Sequence, residues 1–137
     1  MKTKKKRILV VDDQVRDTQL LKLFLERTND YVVREENYAH AALSAAEEFK
    51  PHLILLDLMM PGMDGGELAV CFEASPKLKA VPIVFLTAAV TKAEVKEGNG
   101  RIGRFAFLAK PVVLAEVAAC LKHHLEKRPA PKQSKRA

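Results

Sequence analysis

Between Pro51 and the Pro61-Gly62 pair the chain runs Leu53-Ile54-Leu55-Leu56-Asp57. Four consecutive large apolar residues between turn formers predict a strand buried on both faces, the pattern of a central strand in a parallel sheet. In an open parallel α/β sheet the carboxyl ends of such strands border the ligand crevice, so Asp57 stands at the edge of a site. Pro61-Gly62 and then Asp64-Gly65 re-aim the chain into a helix and leave Asp57 accessible. A strand-ending Asp that merely caps a turn is the plainer alternative. The rest of the chain decides between the two.

On either side of this strand the pattern alternates. Residues 7–11 read as a short apolar strand broken by Asp12-Asp13-Gln14, and 15–28 as a helix with Leu20, Leu21, Phe24 and Leu25 on its inner stripe. Residues 31–34 give a more polar, edge-like strand, and Ala39, Ala42, Leu43 and Ala46 space a second helix closed by Lys50-Pro51. A third helix is expected over 65–75, with Leu68, Cys71 and Phe72 facing in, then a strand over 82–87. A short helix over 91–97 would be cut off by Gly98, Gly100 and Gly103; a last strand over 104–109 and a long helix over 112–127 follow. Five strands alternating with five helices predict an α/β fold, a doubly wound five-stranded parallel sheet with helices on both faces. Order 2-1-3-4-5 fits, because the second strand is the most polar and the first, third and fourth the most apolar.

In that order Asp12 and Asp13 end the first strand beside Asp57, at the switch point where this architecture binds ligands. Packed carboxylates repel, and such a cluster either holds protons or recruits a cation. Three Asp with no His or Cys among them suggest Mg²⁺, which binds through one or two carboxylates together with phosphate. Thr87 and Lys110 close two further strands and bring a hydroxyl and an ammonium. With the backbone N–H of Ala88, these are the groups a phosphoryl oxygen needs around it.

Composition bounds the remaining classes. The 137 residues, 48% hydrophobic, suit one domain, and no apolar run approaches the roughly 20 residues of a membrane span. The Ile8–Val11 run stops at Asp12-Asp13, the wrong pattern for a signal peptide, so a cytoplasmic protein is expected. The net charge of +6 sits in the ends: residues 1–7 carry +5 and 126–137 carry +4, while the body between them is at −3. That is not the footprint of a domain reading DNA through a basic face. The segmentation expected is a basic extension over 1–6, one domain over 7–126, and a basic, disordered tail over 127–137. Cys71 and Cys120 read as reduced core residues, and Cys120 with His123 and His124 falls short of a closed metal site.

The set Val10-Val11-Asp12-Asp13, Leu56-Asp57, Met60-Pro61-Gly62-Met63-Asp64-Gly65, Leu86-Thr87-Ala88 and Phe107-Leu108-Ala109-Lys110-Pro111 resembles the receiver domain of two-component response regulators, over about residues 6–126. The resemblance implies a flavodoxin-like three-layer sandwich and a phosphoacceptor role for Asp57. A histidine kinase or histidine phosphotransferase would donate the phosphoryl group from a phosphohistidine. Asp12, Asp13 and Asp57 would hold Mg²⁺ with the Met59 backbone carbonyl, and Thr87 and Lys110 would bind the phosphoryl oxygens. The Lys110-Pro111 bond is cis in similar proteins. Thr87 would move toward the phosphoryl group and Phe107 would enter the space it leaves, altering the surface formed by the fourth helix, last strand and last helix. Such a protein is no enzyme in the ordinary sense, though it catalyses its own phosphorylation and dephosphorylation.

Met59 and Ala89 occupy positions that often carry polar side chains in related domains, so slow autodephosphorylation is expected. A haloacid dehalogenase-like phosphatase would want an Asp where Met59 sits, and a flavodoxin would want a phosphate loop where Asp12-Asp13-Gln14 stands. The alternative kept open is a receiver-like interaction module that works without phosphorylation. A stand-alone receiver, or a piece cut from a longer protein, is further expected, monomeric or weakly dimeric on phosphorylation, with an unknown downstream protein, no direct DNA-binding domain and no membrane association.

Overall fold

The computed structural model describes residues 4–88, 101–102 and 105–126, with backbone alone for 101–102. At its centre lies β3 (Leu53–Asp57), every residue of which is buried. β1 (Lys6–Val11) and β4 (Ile83–Thr87) flank it, both parallel to it. β2 (Tyr31–Glu36) pairs outside β1, and β6 (Phe105–Ala109) outside β4. The five parallel strands therefore stand in the expected order. One element is added: β5 (Arg101–Ile102) pairs antiparallel with β6 at the sheet edge. Two residues are too few to show a period in sequence.

Among the described residues four helices cover the sheet: α1 (Val15–Glu26), α2 (Ala42–Phe49), entered through a single 3₁₀ turn at Ala39–Ala41, α3 (Gly65–Ala74) and α4 (Leu114–Glu126). The helix expected over 91–97, Ala89, the glycines at 98, 100 and 103, and the tail over 127–137 lie outside the described residues. No helix among the described residues is long and apolar enough to cross a membrane.

Strand alternation divides the core in two. Leu9, Val11, Ile54, Leu56 and Phe85 pack with Ala42, Ala46, Leu68 and Phe72 of α2 and α3. Ile8, Val10, Leu53, Leu55, Val84 and Leu86 pack with Leu21, Leu25, Val117 and Leu121 of α1 and α4. Each large apolar side chain so removed from water contributes about 1.5–3 kcal/mol, so the central strands make a firm base for whatever ends them.

Two inward faces differ from the sequence expectation. Leu20 is 49% exposed while Thr18 is fully buried, because the inner stripe of α1 runs one turn earlier and meets polar partners from the end of β2. On α3 the inward positions are Leu68, Ala69 and Phe72, and Cys71 is only half-buried.

The turn after β3 is held by its own residues. Asp64 caps α3 by accepting the Glu67 N–H at 2.8 Å, while the Glu67 side chain accepts the Asp64 N–H at 3.3 Å. Gly65 donates its N–H to the Leu58 carbonyl at 2.7 Å. A Cβ at this position would collide with the Asp57 carbonyl oxygen and Leu58 Cα, so the close return of the chain past Asp57 requires glycine.

Candidate functional site

Register brings the candidate residues to one edge. Val11 pairs with Leu56, so Asp12 follows beside Asp57; Thr87 pairs with Ala109, so Lys110 follows one step beyond Thr87. Carboxylate oxygens of Asp12, Asp13 and Asp57 all lie within 4.8 Å of one another. Asp12 and Asp57 are buried and Asp13 is half-buried. The Lys110 Nζ donates to Asp12 Oδ2 at 2.8 Å and stands 3.6 Å from Asp57 Oδ1. Asp17, not foreseen from sequence, adds a third carboxylate 3.7 Å from the same ammonium. It lies one helical turn past Asp13, a position that the acidic first turn of α1 could have flagged.

Backbone groups fix the acids. Gln14 donates its N–H to Asp12 Oδ1 at 2.9 Å, and Met59 donates its N–H to Asp57 Oδ1 at 3.3 Å. Lys110 is anchored by its own N–H on the Thr87 carbonyl at 3.0 Å, and its bond to Pro111 is cis as expected. Thr87 is fully buried at the end of β4, whereas Ala88 is exposed and helps line a cleft of about 350 Å³ with Asp12, Asp17, Lys110 and Pro111. Met59 is 63% exposed beside the site. Phe107 is buried, its ring 5.1 Å from that of Phe85.

Electrostatics follow from this packing. Burial first, and then the Asp12 carboxylate, push the Asp57 carboxyl up to about 7, with Lys110 and the Met59 N–H only partly opposing them. Burial pulls the Lys110 ammonium down, but the Asp12 hydrogen bond and the neighbouring carboxylates outweigh it and leave its pKa raised. The cluster therefore holds more negative charge than one Lys neutralises. A hard, all-oxygen donor set in that condition fits a divalent cation of the Mg²⁺ type. By contrast, Cys120 Sγ lies 3.6 Å from His124 Nδ1 and gathers no third ligand among the described residues.

Comparison with known proteins agrees with this geometry. Residues 8–122 match the family model described as the response regulator receiver domain. The transcriptional regulatory protein ResD of Bacillus subtilis is 41% identical over 120 residues, covering 88% of this chain and 48% of ResD. The DNA-binding response regulator MtrA of Mycobacterium tuberculosis is 34% identical over 127 residues, covering 93% of this chain and 54% of MtrA. The solved structure of the chemotaxis response regulator CheY4 of Vibrio cholerae superposes with a TM-score of 0.75 at 25% identity, covering 89% of this chain and all of that one.

The chain thus spans about half the length of the curated relatives it matches. This overturns the expected partner set, which excluded a DNA-binding domain: a relative of this similarity is named a DNA-binding response regulator. The exclusion rested on where the sequence stops and on the acidic body of the receiver. Neither bears on a protein whose relatives carry as many residues again.

Proposed function

Since the chain belongs to the response regulator receiver domain family, we propose that it takes a phosphoryl group from a phosphohistidine donor onto Asp57 and thereby switches a protein surface in two-component signalling. The observation that carries the reading is the meeting of Asp12, Asp13, Asp57 and Lys110 at one strand edge, with Lys110 between the two buried acids.

In the step proposed, a carboxylate oxygen of Asp57 attacks phosphorus as the phosphorus–nitrogen bond of the donor breaks. The electron pair leaves with the imidazole nitrogen, which takes up a proton. Lys110 shifts its ammonium from the carboxylates toward the phosphoryl oxygens, and Thr87 Oγ1 and the Ala88 N–H donate to those oxygens. Asp12, Asp13, Asp57 and the Met59 carbonyl would hold Mg²⁺, which when bound supplies the positive charge that lets an anionic donor approach three carboxylates. The product is an acyl phosphate, labile enough to time a signal.

The domain in this reading catalyses its own phosphorylation and, slowly, its own dephosphorylation, because the apolar Met59 side chain aligns no water. Thr87 moves toward the phosphoryl group and Phe107 fills the space it leaves. A cytoplasmic location belongs to the same proposal. The test is incubation with acetyl phosphate and Mg²⁺ followed by intact mass. One phosphoryl group added to the wild type and none to Asp57→Ala is expected; no addition to the wild type leaves an interaction module without phosphotransfer.

A further inference from the structure

The loop that carries Asp12 and Asp13 is held from the side by residues of β2 and its continuation. Asp12 donates its N–H to the Glu36 carbonyl at 3.1 Å. One residue further along, the Asn37 amide nitrogen donates to the Asp12 carbonyl at 2.8 Å and to Thr18 Oγ1 at 3.0 Å. Thr18 is fully buried, and its hydroxyl in turn faces Glu35 Oε1 at 2.9 Å and the Val15 carbonyl at 3.0 Å. Both hydrogens of the Asn37 amide are thus used, one on the acidic loop and one on α1.

We propose that Asn37, backed by Thr18, is a positioning residue for the acidic site: it fixes the peptide between Asp12 and Asp13 and so sets how the two carboxylates face Asp57. The inference deepens the phosphotransfer reading and rests on it. The Asp12 carbonyl belongs to the peptide that joins the two acids, and holding it fixes ψ of Asp12 and φ of Asp13, the angles that set how one side chain stands relative to the other. Three carboxylates in close contact repel one another, and repulsion would rotate this peptide unless something opposes it.

The chemistry of residue 37 is specific. The group facing it is a carbonyl, which needs a donor, so the amide must present nitrogen rather than oxygen. Aspartate has no donor when ionised, and serine is too short to reach both the carbonyl and Thr18. Thr18 accepts from Asn37 and keeps its own hydrogen for Glu35 or Val15, which ties the first turn of α1 to the end of β2. Groups that orient ligands without touching the ion typically alter metal affinity by about 10-fold to 100-fold when removed.

The test compares Asn37→Leu, Asn37→Ala and Thr18→Val with the wild type, and with Ser75→Ala as a control. Ser75 is buried and donates to Glu47 Oε2 at 2.8 Å between α3 and α2, so its loss removes a hydrogen bond of similar kind away from the site. Mg²⁺ affinity by calorimetry, phosphorylation by acetyl phosphate and urea stability are measured on each. The Asn37 variants are expected to bind Mg²⁺ about 10-fold to 100-fold more weakly, with Thr18→Val between them and the wild type. Ser75→Ala should lose stability with unchanged Mg²⁺ affinity. Asn37 and Thr18 variants that bind Mg²⁺ as the wild type does, or lose affinity only in step with the control, overturn the inference and leave the phosphotransfer reading standing. A wild type that neither binds Mg²⁺ nor takes phosphate overturns both.

Discussion

Lys110 Nζ lies 2.8 Å from Asp12 Oδ2, although 98 residues separate them in the chain. The contact closes the site from the far side of β4 and leaves Asp57 Oδ1 at 3.6 Å from the same ammonium. One cation therefore serves two buried acids. Replacing it with methionine keeps the aliphatic stem but removes the charge and the hydrogen bond to Asp12, which leaves Asp12 and Asp57 facing each other unscreened. Lys110→Met is expected to lower stability in metal-free buffer by about 1–3 kcal/mol, measured by urea denaturation. Phosphorylation by acetyl phosphate should slow by about 10²-fold or more, as when a preorganised donor is removed from a developing anion.

The raised Asp57 carboxyl makes a stability prediction of definite sign. Its folded pKa of about 7 stands above the ordinary 3.8, so the folded state holds this proton more tightly than the unfolded chain does. The stability it contributes is complete below pH 3.8 and is lost as pH rises through about 7. Metal-free wild type should therefore weaken between about pH 4 and 7 relative to Asp57→Asn, which cannot ionise. We expect the variant to be the more stable by about 1–3 kcal/mol at pH 8. Adding Mg²⁺ should narrow the gap, because a ligand of the native state stabilises the wild type in proportion to its saturation. Parallel urea-stability curves for the two proteins across this pH range would refute the electrostatic account of the site.

Some residues of the fold and site are legible in the sequence and others are not. Leu53 to Leu56 are apolar on both faces, so β3 and its end at Asp57 are legible at once, although Asp57 is buried and not left accessible by the turn as expected. The pairing of Lys110 with Asp12 was legible only through topology, since nothing local joins them; the strand order alone brings the two ends together. Local periodicity failed where a polar residue turned inward. Thr18 displaced Leu20 from the core because Glu35 and Asn37 offer it partners, a fact written in β2 and not in α1. Asn37 carries no local signal beyond being a polar residue after an edge strand. The two-residue β5 had no period to read. The exclusion of a DNA-binding domain failed for another reason: relatives such as MtrA run to about twice the length matched here.

Met59 sits two residues beyond Asp57, 63% exposed, with its N–H on Asp57 Oδ1 at 3.3 Å. Its backbone is thus fixed against the acid while its side chain is free to be exchanged without disturbing the core. A thioether neither donates to nor strongly accepts from water, so the wild-type side chain does nothing to align a hydrolytic water with an acyl phosphate. Asn or Glu at this position would place an acceptor at the mouth of the site. Met59→Asn and Met59→Glu are therefore expected to shorten the lifetime of the phosphorylated state by about 10-fold, below the roughly 10²–10⁴-fold of a fully aligned general base. Stability should change by less than about 0.5 kcal/mol, as for other surface substitutions. The measurement is loss of the phosphoryl adduct by intact mass after the donor is removed. An unchanged decay rate in both variants would mean that water reaches the adduct by a route this side chain does not control.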